Sequence, residues 1–202
     1  MVATRVGRVR FINCGYGLVV ERDLPKVETR VRFSVPAPNS MNTQYQQFEN
    51  LINPDTYQVF LMSCPAFFPF NFTRHPWFVV NKKGELSRWE VYSQKNLFKT
   101  NWGYLCQNGF FISPFQGIQI FSFSKTFFWK PSLLRVIEGD ENSLAYNMIQ
   151  TIELSPEHYP FCDTYVFTGP NSNTYVQWLL NKFPELSIKL PWRCFGKGFR
   201  LP

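Results

Sequence analysis

Three residues of the types that cooperate in acyl transfer, Ser172, His75 and Glu90, stand out in this 202-residue sequence. A serine hydroxyl becomes a strong nucleophile only when a base removes its proton, and histidine is the usual base near neutral pH. A carboxylate behind the imidazole fixes its tautomer and stabilises its charged form. We therefore predict that these residues form a catalytic group that hydrolyses or transfers an amide or ester.

Ser172 lies in a polar turn, residues 169–174, which precedes a predicted helix. At a helix start, the dipole and the unpaired main-chain N–H groups favour a developing oxyanion. The predicted ligand-binding residues belong to this turn and to the end of the chain: Asn171, Asn173, Thr174 and Lys197. The same residue types also cap helices, so a purely structural turn is the competing interpretation. A ligand-binding domain without catalysis is the alternative function.

Cysteine nucleophiles are the other catalytic option, because Cys64 precedes His75 and Cys162 follows His158. Neither cysteine lies in a recognisable motif, so buried, unreactive thiols are the favoured interpretation. The chain has five irregularly spaced cysteines and only two histidines. We therefore predict free thiols, no metal site and no cofactor.

Composition and charge limit the classes of ligand and partner that we predict for the protein. The chain is 45% hydrophobic and 18% aromatic, which supplies a large core. Its net charge is +7, but the basic residues are scattered, so nucleic-acid binding is not predicted. A small molecule, a lipid or a peptide remains the predicted class of ligand. Phenylalanines at positions 67, 68, 70 and 72 leave peripheral membrane contact open, although we predict that they pack in the core.

Targeting signals are not recognised in the sequence. No stretch of about 18 apolar residues occurs, so no membrane span is predicted. The N-terminus lacks the apolar segment of a signal peptide. We therefore expect a cytoplasmic protein, with export by a route lacking a cleaved signal left open.

A predicted β-hairpin positions the histidine and the glutamate. Residues 76–80 and 86–92 read as strands around a turn at 81–84. The first of these strands is too apolar to be an exposed edge. Adjacent strands would bring His75 and Glu90 together. Further strands are predicted at 27–35, from strict alternation, and at 57–63.

Two helices are predicted near the end of the chain. Residues 141–153 carry an apolar stripe with Asp140 or Asn142 as the cap, and residues 173–183 form a helix that Pro184 ends. Residues 36–50 read as a polar linker, and 93–130 as loops with short strands. The predicted fold is α+β, an antiparallel sheet with C-terminal helices. Residues 1–50 form an N-terminal β segment and linker packed on a main domain, 51–202.

The end of the chain carries a long motif. Residues 169–175 read GPNSNTY, followed by PEL at 184–186, LP at 190–191 and GK at 196–197. This resembles a bacterial family of unknown function marked by GPNSNTF, PEL, LP and GKD, over about residues 57–198. Gly198 stands where the family has Asp, and Pro76 where it has Thr. The first departure removes a carboxylate, and with it any role for that acid.

A second resemblance concerns the order of the parts. Circularly permuted papain-like proteins, of the NlpC type or similar to lecithin:retinol acyltransferase, place a strand His first, a polar residue on the next strand, and an Asn-Cys pair at a later helix start. Here the order is His75, Glu90 and then Asn171 with Ser172. The resemblance implies a permuted papain-like fold in which Ser172 replaces the nucleophilic cysteine.

Overall fold

The computed structural model describes residues 12–14, 17–24, 27–32, 43–110, 113–122 and 126–199, with side chains from residue 46 onward. Its strands in chain order are β1 (Ile12–Cys14), β2 (Gly17–Leu24), β3 (Val27–Arg32), β4 (Tyr57–Pro65), β5 (Arg74–Lys82), β6 (Glu85–Val91), β7 (Thr100–Trp102), β8 (Leu105–Gln107) and β9 (Ser132–Gly139). Its helices are α1 (Thr43–Glu49), α2 (Leu144–Glu153), α3 (Ser155–His158) and α4 (Ser172–Leu180).

The described strands form one antiparallel sheet in the order β1-β2-β3-β9-β4-β5-β6-β8-β7. With the helices that follow in sequence, this confirms the predicted α+β class and its antiparallel sheet. None of the described helices is long and apolar enough to cross a bilayer. The division of the chain at residue 50 stays a prediction, although β3 joins the same sheet through β9.

The predicted hairpin is confirmed as β5 and β6. Its turn is stabilised by the Asn81 Oδ1, which accepts the N–H of Gly84 at 2.7 Å. Gly84 has a φ of +97°, a conformation that favours glycine. β5 lies between β4 and β6, and its interior is fully buried, as its apolar sequence predicted. The strands predicted at 57–63 and from residue 27 are also present, and residues 33–35 lie outside the described residues.

Two elements were interpreted differently from the sequence. The predicted linker contains helix α1, because its Phe48 is buried and its ring packs on that of Phe115. Strand β9 was not predicted at all, although it pairs with both β3 and β4 near the centre of the sheet. Residues 93–130 contain only the short strands β7 and β8 within the described part, as expected.

Both predicted helices exist, with different ends. Ser143 caps α2 by accepting the Tyr146 N–H, so the predicted caps Asp140 and Asn142 are wrong. Helix α4 ends at Leu180, and Pro184 begins a separate 3-10 turn rather than ending α4. The reason is local, because the turn after Leu180 has already closed before the proline is reached.

The alternation of side chains along the strands produces two buried layers. On one face, Phe78 and Leu61 pack under α2 and α4. On the other face, Trp77 and Met62 pack against Phe115 and the loop around it. Because His75 is two residues from Trp77 on β5, its side chain lies on the second face, opposite α4.

Candidate functional site

A pocket of about 170 Å³ lies where β5 begins, between the two layers that cover the sheet. Tyr92 and Ile118 line it from one layer, and the start of α4 lines it from the other. His75 and Ser172 both line this pocket. Its remaining wall is largely aromatic and includes Phe67, Phe70, Tyr165, Phe167 and Phe195.

His75 is held by a buried carboxylate. Its Nε2 lies 2.7 Å from Glu90 Oε2, and both side chains are buried. The two residues face the same side of the sheet on the adjacent strands β5 and β6. The hairpin therefore brings together the predicted histidine and the predicted glutamate.

Arg88 completes this network from the same strand as Glu90. Its Nε donates to Oε1 at 2.7 Å, and a terminal nitrogen donates to Oε2 at 2.8 Å. A further terminal nitrogen donates to the Gln116 carbonyl. The guanidinium also lies 4.3 Å from the centre of the Trp77 ring. Arg88 thus neutralises the buried Glu90 carboxylate, whose negative charge would otherwise lack a fully charged partner.

The network sets the ionisation of Glu90. Burial opposes ionisation, but the Arg88 guanidinium and the His75 hydrogen bond outweigh it and lower the pKa of the carboxyl. An ionised Glu90 only accepts hydrogen bonds, so the proton lies on His75 Nε2. The other ring nitrogen, Nδ1, has no hydrogen-bond partner among the described residues and is the one available as a base.

Ser172 is the first residue of α4, and Asn171 is its cap. Asn171 Oδ1 accepts the N–H groups of Asn173 and Thr174, and Thr174 Oγ1 accepts the Asn171 N–H. This capping box satisfies the helix start without Ser172. Within the described residues, neither the Ser172 hydroxyl nor its N–H has a hydrogen-bond partner. Ser172 therefore has no capping role, and it does not bond His75 directly.

The predicted binding residues connect α4 to the end of the chain. Asn171 and Asn173 donate through Nδ2 to the Phe195 carbonyl, and Thr174 donates to the Gly196 carbonyl at 2.8 Å. Asn171 and Asn173 also line the pocket. Thr174 is not among its lining residues. Asn173 Oδ1 is buried and has no partner among the described residues, so it is an unused acceptor beside the pocket.

Lys197 does not line the pocket. Its Nζ donates to the carbonyls of Leu190 and Pro191 at 2.7 and 3.0 Å, which joins the GK and LP parts of the motif. Much of the motif therefore builds the wall behind Ser172. Ligand contact by Thr174 and Lys197 stays a prediction.

Sequence reasoning missed Arg88 and the aromatic wall. Arg88 is two positions from Glu90 and faces the same side of its strand, and that spacing was a usable signal. Phe68 and Phe72 were expected in the core, but more than half of each side chain is exposed. By contrast, Trp77 and Trp178 are buried.

Burial makes Cys64 and Cys162 poor candidates for a catalytic nucleophile. Burial raises the pKa of the Cys64 thiol to about 12 and that of Cys162 to about 11. Both are free, as are Cys106 and Cys194. Cys162 Sγ lies near main-chain carbonyls of α3 and the residue after it. Thiols that stay protonated are poor nucleophiles at neutral pH.

The fold and the pocket define an α+β protein with a buried His–Glu pair beside an unpaired helix-start serine. The chain matches the model of the family described as "Protein of unknown function (DUF3750)" over residues 56–199. The protein therefore belongs to this family, which confirms the family of unknown function predicted from the motif. No curated protein and no solved structure matches the chain.

Proposed function

We propose that the protein is a hydrolase or acyltransferase that acts on an amide or ester in this pocket. The observation that carries the proposal is the 2.7 Å contact between His75 Nε2 and Glu90 Oε2 in a pocket also lined by Ser172. A buried, ionised carboxylate that fixes one tautomer of a histidine is the support that a general base requires.

In the proposed reaction, the Ser172 Oγ forms a bond to the substrate carbonyl carbon, and His75 Nδ1 takes the hydroxyl proton. His75 then gives that proton to the leaving oxygen or nitrogen as its bond to carbon breaks. Water, or an acceptor alcohol or amine, next attacks the acyl carbon and gives a proton to His75. The bond from that carbon to Ser172 Oγ breaks, and His75 returns the proton to Oγ. The unpaired N–H of Ser172 at the helix start is a donor for the oxyanion.

This reaction requires substrate binding to bring the Ser172 hydroxyl and the His75 ring into contact. Ser172 and His75 approach the pocket from opposite faces of the sheet and are not hydrogen-bonded to each other. Catalytic hydrogen bonds are often long in ligand-free enzymes and tighten in the complex. We expect a bound acyl group to fill the gap and the serine hydroxyl to turn toward Nδ1.

A fluorophosphonate probe tests this proposal directly. Its phosphorus bonds to an activated serine oxygen as fluoride leaves, and peptide mass spectrometry locates the label. We expect labelling at Ser172 and a rate about a hundredfold lower in His75→Ala, the usual contribution of a general base. Ser93→Ala is the matched control, because Ser93 is another serine of the same pocket and its loss should not change the rate. An unlabelled Ser172, or a rate indifferent to His75, would contradict the proposal.

The second candidate is a ligand-binding domain without turnover. It is favoured by the missing Ser172–His75 hydrogen bond and by the unused acceptor Asn173 Oδ1, which suits an N–H of an amide ligand. Saturation-transfer NMR with butyramide tests it. Binding that Asn173→Leu abolishes in a folded protein, together with no labelling of Ser172, would support binding over catalysis.

The remaining assignments are also proposals. The order His75, Glu90, Ser172 supports a permuted papain-like arrangement, in which α4 would take the place of the nucleophile helix. A bacterial source rests on the motif alone. A cytoplasmic location is supported by the four free cysteines of the described residues.

A further inference from the structure

Four phenylalanine rings form a continuous surface at the mouth of the pocket, which we call the aromatic rim: Phe70, Phe72, Phe167 and Phe195. Phe70 and Phe167 lie 4.9 Å apart between ring centres, and Phe72 lies 6.4 Å from Phe167. Phe195 lies 6.1 and 6.3 Å from Phe72 and Phe167. The rim therefore joins three segments of the chain that are far apart in sequence.

The aromatic rim is unusually open to solvent. Phe72 is 51% exposed, Phe167 40% and Phe70 36%. Trp192, three residues before Phe195 in the sequence, is 73% exposed, with the Arg193 guanidinium 5.3 Å from its ring centre. Clustered exposed aromatic rings leave a large apolar area in water, which a core-packing role does not explain.

The segments that carry the rim have charged residues of one sign only. Residues 65–74, 164–174 and 189–199, which carry the rim and Trp192, contain no Asp or Glu. They contain four cations: Arg74, Lys189, Arg193 and Lys197. The main-chain N–H of Arg74 donates to the Arg193 carbonyl, so the first and third segments adjoin. The acid just before the second segment, Asp163, pairs with Lys95 at 2.7 Å.

Exposed aromatic rings on segments whose only charged residues are cations match the chemistry of an anionic bilayer surface. Phenylalanine and tryptophan enter the boundary between headgroups and acyl chains, while Arg and Lys attract anionic headgroups. The pocket is also small for a whole lipid, since a cavity of about 150 Å³ holds one benzene molecule. A lipid could place only its reacting end inside, and the remainder would lie across the rim.

We propose that the aromatic rim docks on an anionic phospholipid bilayer and places the mouth of the pocket at the level of the headgroups. Docking itself requires no catalysis. Docking would make membrane lipids the nearest source of acyl groups for the proposed reaction. Only this choice of substrate rests on the proposed function.

Vesicle sedimentation tests the docking. The protein should sediment with vesicles containing phosphatidylglycerol and stay in the supernatant with pure phosphatidylcholine. Phe72→Ser combined with Phe167→Ser should lower partitioning by about tenfold or more, because two membrane-entering rings are removed. Arg193→Glu, which leaves the rings in place, should lower it by about tenfold through charge reversal.

Leu154→Ser is the matched control. Leu154 is 47% exposed, but it follows Glu153, which pairs with Lys82 at the far end of β5. Along β5, the rise of eight residues from Arg74, next to the rim, to Lys82 is roughly 26 Å. This variant should sediment like the unchanged protein. Thermal unfolding checks that every variant is folded.

Ser172→Ala separates the two proposals, because it should lose fluorophosphonate labelling and keep full vesicle binding. The docking proposal is overturned if the unchanged protein does not sediment with anionic vesicles, or if the folded rim variants sediment equally well. It is also overturned if the rim variants change only self-association in analytical ultracentrifugation, since the rim would then contact a second copy of the chain.

Discussion

Cys64 lies directly opposite His75 in the β4–β5 pairing, so the two side chains share one face of the sheet. A thiol beside a histidine suggests a cysteine nucleophile, but the environment opposes it. Cys64 is fully buried, its Sγ lies 3.4 Å from the Ile118 N–H, and burial raises the pKa of its thiol to about 12. The thiol therefore stays protonated at neutral pH.

We predict that Cys64→Ala leaves the labelling rate of Ser172 within about twofold, because a protonated thiol takes no part in the reaction. In the native protein, Cys64 should also resist iodoacetamide at about pH 8, as measured by peptide mass spectrometry. Cys162 is the comparison, since it is only half buried. Rapid alkylation of Cys64 in the folded protein would instead make it a candidate nucleophile.

Glu90→Gln should strongly destabilise the fold. The substitution leaves the buried Arg88 guanidinium without its carboxylate, and breaking a buried pair in this way costs about 3–5 kcal/mol. Urea unfolding measures the change. Glu153→Gln is the control, because the Lys82–Glu153 pair is about one-third exposed and should contribute less than about 1 kcal/mol. Equal losses for the two variants would show that the buried network has no special stability.

Acid should weaken the same network. The pKa of Glu90 in the fold lies below its ordinary value of 4.5, so its ionised form stabilises the fold. That stability is complete above about pH 4.5 and is lost as the pH falls through the lowered pKa. The difference in melting temperature between the unchanged protein and Glu90→Gln should therefore shrink from pH 7 to pH 3. A constant difference would mean that Glu90 is not ionised in the fold.

Gly196→Ala should destabilise the wall behind Ser172. Gly196 has a φ of +92°, and an added Cβ would lie 2.6 Å from the Asn171 side-chain amide. The backbone strain arises at residue 196 itself and the clash acts on Asn171, which caps α4, so we expect a loss of more than about 1 kcal/mol. Gly198→Ala is the control two residues away, because nothing lies within 4 Å of its added Cβ. Urea unfolding should show a change within about 0.5 kcal/mol for that variant.

The parts of the site that depend on local pattern could be predicted from sequence. The hairpin spacing placed Glu90 beside His75, and the polar turn placed Asn171 and Ser172 at a helix start. The face of the sheet on which His75 lies could not be predicted, because it depends on which layer covers each side. The spacing of Arg88 from Glu90 was visible in the sequence, but its burial was not, because it depends on the loop around Phe115 that covers that face.

The strands and helices could likewise be predicted only where they follow from local sequence pattern. Strands with an adjacent turn, such as β5 and β6, follow from turn residues and apolar runs. Strand β9 lacks a hairpin partner in sequence, and α1 is too short and polar to be recognised without its contact through Phe48. Both are determined by tertiary contacts, which override local propensity.

The position of β9 sets an order for folding. Strands β2 and β3 can pair with each other early, and β4, β5 and β6 can form a meander, because these contacts are local in sequence. Among the described strands, β9 is the one that joins the two groups in the sheet, since it pairs with β3 on one edge and β4 on the other. During synthesis, both groups therefore present an unpaired edge until residues 132–139 leave the ribosome. Because non-local pairs close slowly, we expect this step to limit the folding rate and to leave the nascent chain most prone to aggregate in the interval before it.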